Sequence, residues 1–355
     1  MNPDVSKVGK FWSKEEPIEN AGNFYASPLT RPYIIEMAYG KRYVKDYADR
    51  SDFAQALFVS KYLAGKRIRT ILSLCCGFGY VERQFLALIP GVEKCLGLDV
   101  AEGAIQVARK RALEARLGNL HYECADLNNC SWQSEQYDLV IANGALHHIN
   151  NLEGVLGGIR RTLRPDGLLY ACEYVGASHA DHSLRQIQLV NAAAFLLPPQ
   201  LRSRRGLPFS RPQRVFNLVS KACSVAERKE RPEWSPWKKN AARLLKKIVK
   251  KRDGKLDFGV VFISLKNELL RTDPSEGVRS SEIIPLIKKT FPIVEVRPFG
   301  GGILQNALDE NFYDNFDRDN PLHVKTLELL CHIEQHFMAT GEVNSDNAFI
   351  IAQKK

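Results

Sequence analysis

The sequence predicts an α/β fold: a mostly parallel, Rossmann-like sheet covered by helices on both faces, with an N-terminal segment and a large basic insertion. Three observations predict it. Apolar strand-like runs alternate with helical stretches between residues 70 and 176. A glycine pair, Gly77 and Gly79, directly follows the first run. The alternation stops after Tyr174, and strand-like runs return only at 293–296 and 348–352. Alternation of this kind implies parallel strands joined by right-handed crossovers. The late return implies an insertion into a sheet that closes afterwards.

Residues 1–65 are mixed and aromatic-rich, with Phe11, Trp12, Phe24, Tyr25, Tyr33, Tyr39, Tyr43 and Tyr47, and read as loops and one or two helices covering a pocket. Residues 66–176 read as the core. Strands are expected at 71–74, 95–98, 120–124, 139–142 and 168–174, and helices at 80–88, 101–117 and 152–163. In the second helix Ile105, Ala108, Ala112 and Ala115 share one face. The third helix is expected to stop at Arg164-Pro165-Asp166-Gly167. Residues 177–285 form the insertion, and 286–355 carry strands six and seven with helices between them.

Composition narrows the class. Apolar residues make up 45% and charged residues 25% of the 355, an ordinary globular balance. No apolar run reaches the roughly 18–20 residues that cross a bilayer, and the N-terminus lacks a signal-peptide pattern. The eight cysteines form no C-x-x-C pair, and several fall inside strand-like runs. They read as small core residues in a reducing, cytoplasmic compartment, and no zinc-ligand spacing is present. The net charge of +10 is local: residues 201–255 hold 18 Lys/Arg and 4 Asp/Glu, a net of +14, so the remainder sums to −4. A local anionic partner fits this better than a nucleic-acid-wrapped fold.

Gly77 and Gly79 allow a ligand to approach the backbone closely. Asp99, ending the second strand, is placed to accept hydrogen bonds from a ribose. Ligands of open parallel sheets bind beyond the carboxyl ends of the strands, where Asp99, Asp126 and Asn143 lie. A dinucleotide fingerprint wants a third glycine where this chain has Glu82.

Five features stand in order: Gly77-Phe78-Gly79, Asp99, Ala125-Asp126-Leu127, Tyr137-Asp138-Leu139-Val140 and Leu163-Arg164-Pro165-Asp166-Gly167. Together they resemble the class I S-adenosylmethionine-dependent methyltransferases over about residues 69–176. The resemblance implies a seven-stranded sheet of order 3-2-1-4-5-7-6 with the last strand antiparallel, and S-adenosyl-L-methionine as cofactor. It implies that Gly77 and Gly79 line the methionine moiety, with Ser73, Cys75, Val100 and Leu127 as further cofactor contacts. Asp99 then holds the ribose, Asp126 the adenine amino group, and Asn143 lies near the methionine amine or the methyl. The family often carries an Asp and a Gly where this chain has Ser73 and Cys75, which removes one anchor for the cofactor's amino acid.

Methyl transfer from a sulfonium is an in-line displacement, so the protein mainly aligns the acceptor. A hydroxyl acceptor must lose its proton, and histidine is a suitable base. Ala145-Leu146-His147-His148 follows the fourth strand on the cofactor side. His148 or His147 is the candidate base and Glu173 its helper, against the alternative that the pair caps or packs under the next helix and Glu173 bonds to backbone. His179 and His182 are outside candidates, and no metal set is apparent beyond the pair.

A looser resemblance links the flanks to bacterial methyltransferases of polysaccharide and glycan biosynthesis clusters. It rests on Phe24-Tyr25 to Tyr39, Glu173-Tyr174-Val175-Gly176, Val190-Asn191 through Leu197-Pro198-Pro199, Asp273 to Ser280 and Phe299-Gly300-Gly301. It implies a glycan or small-molecule hydroxyl as acceptor, with Tyr25, Tyr33 and Arg279 as substrate contacts. For Arg279 a surface salt bridge is the alternative, with Ser280-Ser281-Glu282 starting a helix. Residues 235–252 would form a basic amphipathic helix with Trp237, Ala241, Leu244, Leu245, Ile248 and Val249 on one face. Such a helix either lies on anionic lipid at the inner face of the membrane or packs its apolar face on the core. Two rivals remain. One is an RNA or protein methyltransferase recruited by the basic segment, although Asn143-Gly144-Ala145-Leu146 stands where nucleic-acid N-methyltransferases carry an Asn-Pro-Pro-Tyr-like motif. The other is a cofactor-binding, non-catalytic subunit.

Overall fold

A computed structural model describes residues 5–13, 24–25, 27–198, 201, 273, 275–308 and 315–355. The basic stretch 235–252 and Cys223 lie outside the described residues. The sheet consists of β1 (Thr70–Leu74), β2 (Lys94–Asp99), β3 (Leu120–Cys124), β4 (Tyr137–Asn143), β5 (Leu163–Tyr174), β6 (Ile293–Gly300) and β7 (Asn347–Gln353). Its order is β3-β2-β1-β4-β5-β7-β6. The β1–β2, β1–β4, β2–β3 and β4–β5 pairs are parallel, and β7 runs antiparallel to both β5 and β6. This is the expected topology.

Side-chain alternation sends the central strands into two cores, one on each face of the sheet, whereas the edge strand β3 buries only one face. Ile71, Leu139, Tyr170 and Phe349 point into one core with Phe58 of α4 (Phe53–Tyr62) and Phe85 of α5 (Tyr80–Leu88). Leu72, Val140, Leu169 and Ile350 point into the other with Leu156 of α7 (Leu152–Thr162) and Ile287 of α9 (Ile283–Thr290). Between them α6 (Glu102–Glu114) connects β2 to β3 and α8 (Leu184–Leu196) follows β5. The remaining helices are α1 (Val5–Trp12), α2 (Arg31–Tyr39), α3 (Val44–Tyr47), α10 (Leu304–Ala307) and α11 (Pro321–Ala339).

Some boundaries differ from the sequence expectation. The second core helix ends at Glu114, because the chain turns left-handed at Arg116 (φ 55°) and the Leu117 amide returns to the Ala112 carbonyl at 3.0 Å. β5 starts at Leu163, before the expected turn, and the 164–167 segment forms an irregularity between the Tyr137–Leu163 and Leu139–Leu168 pairs. The first 65 residues are more helical than expected. In α4 the first six residues are all buried, which erases the amphipathic period.

The edge strand β6 is covered by α2. Arg297 of β6 donates to the Ala38 carbonyl and to the Tyr62 hydroxyl, both at 2.7 Å. A second tie joins the N-terminal and C-terminal parts. Glu334 of α11, fully buried, accepts from the Tyr33 hydroxyl (2.8 Å) and the amides of Gly301 (2.9 Å), Ile303 (2.6 Å) and Leu304 (2.8 Å). Glutamine can accept at only one of the two oxygen positions, so Glu334→Gln strands buried amides. We expect this variant to lose about 2–5 kcal/mol in urea unfolding, and Tyr33→Phe about 1 kcal/mol.

Candidate functional site

The tips of β1, β2 and β4 surround a cleft of about 940 Å3. It is lined by Ser73, Cys75 and Gly77 after β1, Glu82 of α5, Asp99 and Val100 after β2, Asn143 and Gly144 after β4, and His148. A second cavity of about 430 Å3 shares Cys75, Val100 and His148 with it and extends past Ala125, Asp126 and Leu127. The two therefore form one elongated site at the carboxyl ends of the strands, where strand order reverses between β1 and β4.

The loop after β1 owes its shape to left-handed backbone. Cys75, Gly77 and Gly79 have φ of 48°, 52° and 73°. A Cβ on Gly77 would meet nothing within 4 Å, so its absence leaves room in the cleft. Gly79 does not line the cleft, contrary to the sequence reading. A Cβ there would strike the Tyr122 hydroxyl of β3, so this glycine serves close helix–sheet packing. Asp99 holds the loop from the side: its Oδ2 accepts from the Gly77 amide and its Oδ1 from the Ala101 amide, both at 2.8 Å. Burial raises its carboxyl above the usual carboxylate range. Each oxygen keeps a second lone pair for a ligand hydroxyl. Asp126 accepts from the Asn128 amide at 3.0 Å and from the Asn129 side chain at 2.6 Å, which presents Leu127 and Asn128 to the narrower end.

Past β4, Glu173 organises the short turn Leu146–His148. Its Oε1 accepts from the amides of Ala145 and Leu146, both at 2.8 Å, and its Oε2 faces His147 Nδ1 at 2.8 Å. Burial alone would lower the His147 pKa. The Glu173 hydrogen bond and the charges of Glu276, Glu173 and Asp273 outweigh it and lift the group to about 9. His147 is therefore an imidazolium at neutral pH. His148 is the opposite case. Burial and the charge of His147 hold its pKa below the ordinary 6.5, so it is neutral.

The His148 tautomer follows from its partners. Trp12 Nε1 donates to Asp273 Oδ2 at 3.0 Å, and the Ser275 hydroxyl donates to Asp273 Oδ1 at 2.6 Å. Ser275 Oγ thus has only lone pairs left for His148 Nδ1, 3.1 Å away. Nδ1 carries the hydrogen, and Nε2 keeps a free lone pair. Nε2 of His147 and of His148 lie 3.8 and 3.9 Å from the Glu276 carboxylate. The donor atoms of His147, His148 and Glu276 all lie within 4.8 Å of one another, a set that could hold a metal ion.

Other expected contacts fall elsewhere. Tyr25 packs its ring on Phe53, Phe299 and Phe349, and Tyr33 is spent on Glu334, so neither lines the cleft. Arg279 is engaged by Glu153 and Glu282 and by the Asn150 carbonyl at 3.0 Å, the salt-bridge alternative rather than a substrate contact. Ser280–Glu282 do start a helix, as one turn leading directly into α9, but no side chain caps it. His179 and His182 do not line the cleft. Sequence reasoning missed Trp12, Asp273, Ser275 and Glu276, although the last three stand in a quoted stretch. It also read Glu82 only as a missing glycine.

The residues present fit S-adenosylmethionine. Two buried acceptors lining the cleft, Glu82 Oε2 and Asn143 Oδ1, have no partner among the described residues, and the loop opens at Gly77. Comparison with known proteins agrees. A family described as "Methyltransferase domain" matches residues 71–167. Malonyl-[acyl-carrier protein] O-methyltransferase of Acetivibrio thermocellus is 32% identical over 99 residues, 28% of this chain and 33% of that protein. Demethylmenaquinone methyltransferase of Leptospira interrogans is 30% identical over 100 residues, 28% of this chain and 40% of that one. The chain thus spans between a third and two fifths of the length of these relatives. Among solved structures, YcgJ of Bacillus subtilis aligns over 81% of this chain and 93% of its own, with 13% identity and a TM-score of 0.39. The strand order and the cleft at the strand tips, together with the match of residues 71–167 to a methyltransferase domain, make this part of the chain similar to the class I S-adenosylmethionine-dependent methyltransferases.

Proposed function

We propose that the protein methylates a hydroxyl oxygen of a sugar, glycan or related small molecule, with His148 as general base. The observation that carries this reading is the position of His148: a neutral imidazole with Nδ1 anchored, lining both halves of the cofactor cleft. An oxygen acceptor is in keeping with the O-methyltransferase among the relatives. The sugar class rests on the likeness of the flanks to glycan-cluster methyltransferases.

The bound sulfonium supplies the methyl group and departs as a thioether. The protein's residues do the rest. His148 Nε2 takes the acceptor proton as the oxygen–carbon bond forms, and Ser275 and Asp273 keep the ring in the tautomer that permits it. His147, held charged by Glu173, lowers the basicity of His148 so that it stands deprotonated at neutral pH. Trp12 packs its ring edge-on to His148 at 5.5 Å and borders the cleft.

The test is transfer of radiolabelled methyl from S-adenosylmethionine to nucleotide sugars and saccharides. Methyl ether formation supports the reading. Methylation of RNA or protein only, or cofactor binding with no transfer to any acceptor, contradicts it. Loss of rate on chelation would move deprotonation to a metal ion held by His147, His148 and Glu276. His148→Ala should lower kcat by about 10²–10⁴-fold. The pH profile provides a second check. Because the His148 pKa is depressed, the midpoint of the acid limb of wild-type kcat/KM should lie below that of an ordinary histidine. His147→Asn removes the neighbouring positive charge, so the acid limb should move to higher pH.

A further inference from the structure

We propose that Glu82, with Asn143, receives the α-ammonium group of the cofactor's methionine, supplying from helix α5 the carboxylate that strand β1 lacks. The inference rests on the cofactor reading above and adds a binding residue to it.

The position of Glu82 is unusual for a carboxylate. Its residue is fully buried, yet it lines the cleft in the first turn of α5. Its Oε1 is occupied by the Ser73 hydroxyl at the end of β1. Its Oε2 has no hydrogen-bond partner among the described residues. An unpaired carboxylate oxygen in such a setting costs free energy, so a ligand donor there would relieve a penalty already present. Across the cleft mouth of β4, Asn143 Oδ1 is a second buried acceptor without a partner. A group that satisfies both must offer at least two donors, and a positive charge on it would match the Glu82 carboxylate. An ammonium has three donors and that charge.

Ser73 gives this arrangement its logic. The resembled family often places an Asp at this strand end. Here the strand carries a hydroxyl, and the hydroxyl holds a longer carboxylate reaching in from the helix. The charge is retained and its source is moved by nine positions, from residue 73 to residue 82.

The titration of Glu82 accords with this geometry. Burial raises its pKa to about 7, opposed by the Ser73 hydrogen bond. The groups facing it are Arg83 on its own helix, Cys76 in the β1 loop, Asp99 and Cys95 of β2, and Tyr122 of β3. Arg83 is the one cation among them, so an arriving ammonium should drive Glu82 to its ionised form and release a proton.

Two nucleosides separate the ammonium from the rest of the cofactor: S-adenosylhomocysteine, which has it, and 5′-methylthioadenosine, which does not. By isothermal titration, Glu82→Gln should weaken S-adenosylhomocysteine about 10–100-fold and leave 5′-methylthioadenosine unchanged. The wild-type protein, titrated at pH 7 in buffers of different ionisation enthalpy, should release on the order of half a proton with the first nucleoside and none with the second. The proton measurement needs no variant and stands if Glu82→Gln fails to fold. Unchanged S-adenosylhomocysteine affinity in Glu82→Gln, equal weakening of both nucleosides, or no proton release overturns the proposal. Failure of the wild-type protein to bind either nucleoside overturns the cofactor reading itself, and this proposal with it.

Discussion

The hydrogen bonds of Asp99 to the amides of Gly77 and Ala101 fix the distance between the two loops that bracket the cleft. One carboxylate at the tip of β2 sets both the loop after β1 and the start of the next helix. Parallel pairing of β1 with β2 and with β4 brings all three tips to the same end of the sheet. Without that tie, the left-handed run from Cys75 to Gly79 would lose its lateral support, and the residues facing the cleft would lose their common frame.

A second carboxylate plays the same part beside His148. Glu173, at the end of β5, holds the amides of Ala145 and Leu146 and the His147 ring together. Through His147 it sets the charge beside His148. The segment at 273–282 completes the arrangement from far away in sequence. The Val278 amide bonds to the His147 carbonyl at 3.0 Å, while Asp273 and Ser275 orient His148. Trp12, 261 positions before Asp273, closes the chain of hydrogen bonds from the N-terminal helix. The two flanks therefore meet at the His148 end of the cleft, and each contributes a side chain that the core alone does not have.

Much of this was legible in the sequence because it depends on local pattern. The alternation of apolar runs and helices gave the parallel sheet, and strand-end residues such as Asp99, Asp126, Asn143 and Glu173 lie where a parallel fold must put them. Less was legible where burial on several sides or long-range pairing decides. Helix α4 shows no clear period because nearly all of its first turns are buried. Glu334 and Tyr33 meet across 301 positions. Tyr33 and Tyr25 looked like pocket aromatics, yet they serve the core. Arg279 looked like an anion contact, but two nearby carboxylates engage it. Glu82 carries no signal by itself; only its pairing with Ser73 gives it meaning.

The most direct measurement is the electron density of crystals soaked with S-adenosylhomocysteine. The account predicts the nucleoside lying along the cleft, its ribose hydroxyls within hydrogen-bonding distance of Asp99 and its adenine toward Asp126 and Leu127. A cleft left empty while the compound binds elsewhere on the protein would contradict it.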